Sequence, residues 1–318
     1  MKKETFNLVV RFLVGLALSL LICAGMIMTG KLGSDKPLLQ QASGLKGTET
    51  VMTVDGEPVE SWEYLYMVTY SAQNLSYYGV TDLSTQLGEG FTAADYVAQV
   101  KQQAAVRKWA KDMGITLTED DGATLQQQKE AYGEDLQKVL QINGLTEEQY
   151  DQLMSTTLLY NRLYAAYCTT DGALRPSDKD LLALAEEHSL MTADVLFIST
   201  AELDDAAKAD AKALMGDYAR QLSTADDKAA AFAALEAGEN VTVLASNTYD
   251  GCDATTLNKA LAALAEDQVS DVIEDETGYY VALRRAVDLN AVAEMAFGED
   301  LSARISGAQV EHNDSVYN

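Results

Sequence analysis

Proline, histidine and cysteine are scarce in this 318-residue chain, which has 3 Pro, 2 His and 3 Cys. Few prolines leave long helices uninterrupted, because a proline inside a helix removes a hydrogen bond and clashes with the preceding turn. His188 and His312, like Cys23, Cys168 and Cys252, show no H-x-x-x-H or C-x-x-C spacing, which excludes the usual zinc motifs and a dense disulfide framework. We therefore predict no metal and no cofactor. A bridge between Cys168 and Cys252 stays open, since sequence gives no distance.

Basic residues are also in short supply, with 23 Lys and Arg against 49 Asp and Glu and a formal net charge of −26. They are unevenly spread. Residues 1–46 carry 6 Lys and Arg and 2 Asp and Glu, so the rest of the chain carries a net charge of −30. A body this acidic repels phosphate backbones, which excludes nucleic-acid binding and favours partners with basic segments.

One long apolar run stands near the N-terminus, where residues 12–30, FLVGLALSLLICAGMIMTG, contain no charge. At about 1.5 Å per residue the run covers about 29 Å, close to the thickness of a hydrocarbon core. Basic residues precede it, which predicts a cytoplasmic N-terminus and an exported body. These residues are Lys2, Lys3 and Arg11. We predict an uncleaved signal anchor over residues 1–30; cleavage near CAG, residues 23–25, is the alternative, although the apolar MIM directly follows it.

After a flexible spacer over residues 31–48, the patterns predict a strand, an Asp55-Gly56 turn and a second extended piece. Helices follow with clear start and stop signals. They run from Trp62 towards Tyr78, from Thr92 to about Met113 before Gly114, from the capping box Thr118-x-x-Asp121 to Asn143-Gly144 with a break, and from the capping box Thr146-x-x-Gln149 onward.

From residue 176 strands and helices alternate. The predicted strands are 193–198 and 241–247, with two more inside QVSDVIEDETGYYVALRR; the predicted helices are 177–188, 201–222, 226–237, 255–265 and 291–307. A polar strand at residues 309–317 is expected to pair with residues 51–55. The predicted domains are 49–175, which is helical, 176–288, which is mixed, and 289–318, which packs back on the first. The fold class is α+β.

Three stretches resemble the exported foldases of the PrsA and SurA type. VMTVDGEPVESWEYLYM resembles their opening hairpin and helix, AKDMGITLTEDD with LQINGLTEEQYDQLM resembles their helical run, and LAALAEDQVSDVIEDETGYYVALRR resembles the end of a parvulin-type prolyl isomerase domain. The resemblance implies a helical chaperone domain of the SurA N-terminal kind, completed by the C-terminal helix and strand, with a parvulin-like domain inserted.

The resemblance also implies a site with two facing histidines, and this chain has Asp194 and Tyr280 at the matching positions. Where the family has a Gly-rich turn and the Met and Phe that hold a proline ring, this chain has SNTYDGCDATTLNKALAAL, residues 246–264, which contains neither Met nor Phe. The resemblance therefore implies a parvulin-like domain that is not catalytic. An isomerase that works by pocket shape and desolvation stays open as the alternative.

Aromatic residues at helical spacing could line a client-binding cleft, because Tyr and Trp offer large amphipathic contact surfaces. The candidates are Trp62, Tyr66, Tyr70, Tyr160 and Tyr164. Ordinary core packing is the competing interpretation, since most apolar residues at helical spacing are buried.

These observations predict a single-pass protein of the cell membrane whose body lies outside the cytoplasm. We predict a chaperone that binds unfolded or newly exported polypeptides. An active prolyl isomerase with an atypical site and a membrane-tethered adaptor for one folded partner are the alternatives.

Overall fold

The computed structural model describes residues 48–67, 93–238 and 240–317. The chain divides into two compact units. One comprises Met1–Ala166 with Gly298–Asn318, and the other comprises Tyr167–Phe297. The first unit is therefore discontinuous in sequence, and the second occupies the gap.

The first unit contains a three-stranded antiparallel sheet of β1 (Thr50–Val54), β2 (Glu57–Glu60) and β7 (Val310–His312), in the order β2-β1-β7. Asp55 and Gly56 both have positive φ in the turn between β1 and β2. Strand β7 pairs with β1 through Met52–His312, Thr53–Glu311 and Val54–Val310. The predicted pairing of residues 309–317 with residues 51–55 is confirmed for residues 310–312. Residues 314–317 form a short helix instead of continuing the strand.

The helices of the first unit begin and end largely where their caps predict. They are α1 (Ala93–Asp112), α2 (Glu119–Tyr132), α3 (Leu136–Asn143) and α4 (Glu147–Cys168), and residues 61–67 are also helical. In the capping box of α2, the Asp121 carboxylate accepts from the Thr118 backbone N–H at 2.8 Å. Gly144 ends α3 in the left-handed region at φ 68°. These positions confirm the predicted boundaries at residues 118 and 144.

The second unit contains a four-stranded antiparallel sheet in the order β4-β3-β6-β5. Its strands are β3 (Leu190–Ser199), β4 (Thr242–Asp250), β5 (Ile273–Glu274) and β6 (Gly278–Arg285). Its helices are α5 (Asp178–Glu187), α6 (Asp205–Thr224), α7 (Lys228–Ala233) and α8 (Thr256–Ala263); α9 (Leu289–Gly307) and α10 (Asp314–Tyr317) follow. The prediction of an α+β fold is confirmed.

Two elements of the second unit differ most from their predicted lengths. Strand β3 has ten residues instead of six, because Met191 and Thr192 are also buried and paired. Helix α7 has six residues instead of twelve, since only Phe232 is buried and alanine-rich residues alone cannot sustain a short helix.

The two faces of the four-stranded sheet carry separate cores. On one face, Leu196, Ile198 and Leu283 pack with Met215 and Leu222 of α6. The opposite face has its own cluster, which contains Met191, Ala193, Val195, Ala282 and Leu261 of α8. Residues alternate between these clusters along β3 and β6, as the two-residue period of a strand requires.

Within the described residues, no helix has both the length and the apolar character needed to cross a membrane. The predicted anchor, the spacer through residue 47 and Tyr70 lie outside the described residues.

Candidate functional site

Asp194 and Tyr280, the two residues predicted to mark one site, lie on adjacent strands but on opposite faces of the sheet. The register places Asp194 opposite Leu283 and Tyr280 opposite Phe197. Paired residues share a face and neighbouring residues alternate, so Asp194 projects with Leu283 and Tyr280 projects with Ala282. The register therefore does not bring Asp194 and Tyr280 to one face of the sheet, and their assignment to the parvulin-type site positions stays a prediction.

Asp194 is buried, with 4% of its surface exposed, and both of its carboxylate oxygens accept a hydrogen bond. Arg285 Nη1 donates to Oδ2 at 2.7 Å, and the Ser246 backbone N–H donates to Oδ1 at 2.6 Å. A buried carboxylate needs such partners, because an unpaired charge in the interior is strongly unfavourable. These contacts give Asp194 a structural role.

The Ser246 amide is available to Asp194 because β4 bulges at this point. Ala193 pairs with Asn247 while Val195 pairs with Leu244, so two residues of β4 face the single residue Asp194. Ser246 adopts φ 53°, the left-handed conformation found at one common type of bulge. Its N–H leaves the ladder and requires another acceptor, which Asp194 supplies.

Tyr280 belongs to a hydrogen-bonded turn at the start of β6. Its hydroxyl lies 2.5 Å from Thr277 Oγ1, which also hydrogen-bonds to Asp275 Oδ1. The Tyr280 ring stacks on Phe197, with centroids 4.7 Å apart and planes at 26°. Burial alone would raise the pKa of Asp275, but hydrogen bonds from Thr277, Gly278 and Tyr280 hold it below its ordinary value.

The register does not place Asp194 and Tyr280 face to face, as the resemblance implies for the two histidines of the family. The β3 residues nearest Tyr280 in register on the same face are Phe197, Val195 and Ser199. Ser199 carries the one hydroxyl among them, and its Oγ accepts from the Ala201 N–H at 3.4 Å. Phe197 and Tyr280, both partly exposed, form an aromatic patch there.

The predicted client-binding aromatics separate into two groups. Trp62 and Tyr66 belong to the core of the first unit, with 3% and 4% of their surfaces exposed. They cannot present their rings to a client, so the client-binding prediction for these two residues is corrected to core packing. Tyr160 and Tyr164 are partly exposed on α4, and their rings stack with centroids 6.5 Å apart.

An open cavity of about 430 Å³ lies on the α8 face of the second unit. Most of its lining is apolar, and Leu182 of α5 is 52% exposed. The lining comprises Leu182, Ala185, Leu190, Met191, Ala262, Leu264 and Val287, together with Glu186, Ser189, Gly251 and Arg284. Sequence reasoning did not identify this cavity, since its lining comes from five separate segments.

Arg284 is the cation of this cavity. Its Nη1 donates to the Thr192 carbonyl at 2.9 Å and to the Arg285 carbonyl at 3.2 Å. It forms no ion pair within the part of the chain that the structure describes. Burial lowers the pKa of the guanidinium, whereas the nearby carboxylate of Glu266 raises it. An arginine remains charged under all such conditions, so the cavity holds a permanent positive charge.

The cysteine pair left open by the sequence does not form a disulfide in the structure. Cys168 is buried and Cys252 is exposed. Cys168 donates a long hydrogen bond of 3.8 Å to the Ala293 carbonyl.

No protein-family model and no curated protein matches the chain. Among solved structures, the chain is similar to the peptidylprolyl isomerase PrsA from Bacillus anthracis, at 16% identity over 66% of this chain and 95% of that one, with a TM-score of 0.30. The foldase protein PrsA from Lactococcus lactis matches at 17% identity over 85% and 97%, with a TM-score of 0.31. A SurA-like chaperone from Campylobacter jejuni matches at 12% identity over 84% and 99%, with a TM-score of 0.20. The chain is thus similar to PrsA foldases and SurA-like chaperones, at identities and TM-scores too low to assign it to either family.

Proposed function

We propose that this protein is a chaperone that binds unfolded, newly exported polypeptides at the outer face of a membrane. Residues 12–30 would anchor it, and the second unit would bind without catalysing prolyl isomerisation. The uncharged run and the basic residues before it support the anchor.

The order of the two units is the observation that carries the proposal. The first unit stops at Ala166, resumes at Gly298 and is completed by β7 on β1. The second unit lies between these positions, and its last strand contains the GYY segment, Gly278–Tyr280. This order agrees with the interrupted chaperone domain that the sequence resemblance implies.

The contacts of Asp194 support a binding role over a catalytic one. Both of its oxygens are engaged by Arg285 and Ser246, and Tyr280 projects from the other face. Prolyl isomerisation faces a barrier of about 20 kcal/mol, and lowering it requires groups arranged around one twisted amide. The projection of Asp194 and Tyr280 from opposite faces supports the proposal, because groups that act on one amide have to face it together.

Client binding is tested by the aggregation of an unfolded protein in the presence of the full-length chain, reconstituted into lipid nanodiscs. We expect light scattering to fall as the chain approaches equimolar amounts. Empty nanodiscs and a folded, equally acidic protein are the controls, because polyanions can suppress aggregation without specific binding. Suppression no greater than that by the acidic control would contradict the proposal.

The charge of the exported body adds a second expectation. With a net charge of −30 after residue 46, the chain should bind unfolded basic peptides more tightly than acidic ones of equal hydrophobicity. The difference should shrink between about 50 and 300 mM salt as screening increases. Equal binding of the basic and the acidic peptides at low salt would contradict an electrostatic contribution to client binding.

A further inference from the structure

The cavity beside Arg284 combines an apolar lining with a permanent positive charge. Many Lys and Arg side chains of this acidic chain form ion pairs with carboxylates. Arg285 pairs with Asp194, Lys212 with Glu274 and Arg162 with Asp121. Arg284 has only backbone carbonyls, and both accept from the same nitrogen, Nη1. Its remaining donors have no partner among the described residues and are available to a ligand.

The acidic groups near Arg284 do not neutralise it. Glu186 lines the cavity and Glu266 lies close enough to affect the arginine, but both side chains belong to exposed residues and neither reaches ion-pair distance. Exposed charges are screened by water, whereas Arg284 is partly buried. The cavity therefore favours a ligand that carries a negative charge.

The backbone around the cavity is held in place before any ligand binds. A Cβ at Gly251 would lie 2.6 Å from the Ser189 carbonyl oxygen, so the start of β3 and the end of β4 are in close contact. Gly251 N–H donates to that carbonyl at 3.0 Å. Arg284 N–H donates to Gln268 at 2.9 Å, which fixes the backbone of the arginine. A preformed site of this kind loses little entropy when it is occupied.

We infer that this cavity binds the C-terminal residue of a polypeptide, with the terminal carboxylate on Arg284 and an apolar side chain against Leu190, Leu264 and Val287. This inference rests on the proposed function only for the nature of the ligand. A chain end carries a carboxylate and an apolar side chain on one residue, so both fit in about 430 Å³. An internal Asp or Glu would bring flanking chain on two sides into the same space.

The inference is tested by fluorescence anisotropy with the full-length chain in nanodiscs and labelled hexapeptides ending in Leu-Leu. One peptide has a free carboxylate, one has a C-terminal carboxamide, and one has a carboxamide with an internal Glu. We expect the free acid to bind about tenfold more tightly than either amide, a difference of about 1.4 kcal/mol. Equal binding of the three peptides, or binding of none, would overturn the inference.

Two charge-removing variants locate the effect. Arg284→Gln should abolish the tenfold preference for the acid. Lys208→Gln removes the same charge on α6, whose residues do not line the cavity, and should leave the preference unchanged. An equal loss in both variants would show a general electrostatic effect and overturn the assignment to Arg284.

A second pair of variants decides the question if Arg284→Gln fails to fold. Leu182 is half exposed, so its replacement leaves the core intact. Leu182→Glu places a carboxylate in the cavity lining and should weaken the acid peptide about tenfold more than the amide. Leu182→Gln, of similar size, should affect both peptides alike. Identical behaviour of the two variants would overturn the inference. The fatty acid decanoate also carries a carboxylate and an apolar chain, and it serves as a comparison ligand. If decanoate bound as tightly as the acid peptide, the assignment of a polypeptide as the ligand would be overturned.

Because free peptides are used, this test is independent of client aggregation. A chain that binds the acid peptide but does not suppress aggregation would retain the cavity assignment and lose the chaperone proposal. The reverse result would retain the proposal and remove the cavity as a chain-end site.

Discussion

Arg284 and Arg285 are neighbours on β6, yet the two faces of the sheet place them in different surroundings. On the α6 face, Arg285 meets a buried carboxylate that also binds the backbone of a bulge. On the α8 face, Arg284 meets backbone carbonyls and an open apolar cavity. The period of the strand is the cause, because consecutive side chains project to opposite sides.

The difference separates a structural charge from one available for binding. Arg285 and Asp194 satisfy each other, and removing either would leave the other without its partner. Arg284 could be neutralised by a ligand at little structural cost, because its carbonyl contacts involve only one nitrogen. The position of an ionisable residue in a family alignment therefore does not assign it a function. Its hydrogen-bond and ion-pair partners must be known as well.

The largest expected effect is the loss of the structural pair. Asp194→Ala should destabilise β3 by about 3 kcal/mol, because Arg285 loses its carboxylate and the Ser246 N–H loses its acceptor. Arg284→Ala should cost about 1 kcal/mol or less, since only hydrogen bonds to carbonyls are lost. Hydrogen exchange of the amides in Leu190–Ser199 measures both changes locally. Equal destabilisation by the two variants would remove the contrast between the faces.

The second effect concerns the close approach of β3 and β6. A Cβ on Gly278 would lie within 3 Å of the Ile198 carbonyl oxygen and of the Phe197 ring, so Gly278→Ala must separate the strands. We expect about 2 kcal/mol of destabilisation, as in other overpacked interiors. Gly216→Ala is the control, because a Cβ there meets nothing within 4 Å and alanine favours the interior of α6. The same hydrogen-exchange measurement should show no loss for the control.

The third effect is a pH dependence on the Tyr280 side of the sheet. Because the folded pKa of Asp275 is lowered, the carboxylate contributes stability above its ordinary pKa of about 3.9 and loses it as the pH falls through the folded value. Asp275→Asn should cost about 1 kcal/mol at pH 7 and progressively less between pH 5 and pH 2. Urea unfolding of both proteins across this range tests the prediction. A difference that grows at low pH would contradict the assigned direction.

The smallest expected effect is a gain in the stability of the sheet. Ser246 carries the left-handed conformation of the bulge, which disfavours side chains by about 1 kcal/mol and suits glycine. Ser246→Gly should stabilise the sheet by about 0.5 kcal/mol, because glycine removes this strain. The gain is smaller than the strain itself, since the unfolded glycine has more entropy to lose. Slower exchange in β3 would support the bulge. Faster exchange would mean that the serine side chain contributes more than its backbone strain removes.

Sequence patterns predicted the ends of helices and the positions of strands along the chain, because both depend on local chemistry. Thr118 and Gly144 act through hydrogen bonds and dihedral angles within a few residues, and both boundaries agree with the structure. The pairing of residues 310–312 with residues 52–54 also followed from the sequence. It required the resemblance as well as the pattern, since some 260 residues separate the strands.

The site could be predicted only in part, because its geometry depends on strand register. The sequence resemblance placed Asp194 and Tyr280 at the positions of the family's two histidines. A register shift of one residue, however, moves a side chain to the other face of a sheet. The partners of Asp194 come from β4 and β6, and no local pattern identifies them. Trp62 and Tyr66 show the same limit in a helix, where an apolar stripe indicates a contact face but not what it contacts.

The proposal that this sheet does not catalyse prolyl isomerisation is most directly tested by the rate of X–Pro isomerisation in short peptides, measured with the full-length chain in nanodiscs and with empty nanodiscs. The separation of Asp194 and Tyr280 onto opposite faces predicts equal rates at every protein concentration. A rate that rises in proportion to the protein and falls in Tyr280→Phe would contradict it, and would make the α8 face a catalytic surface.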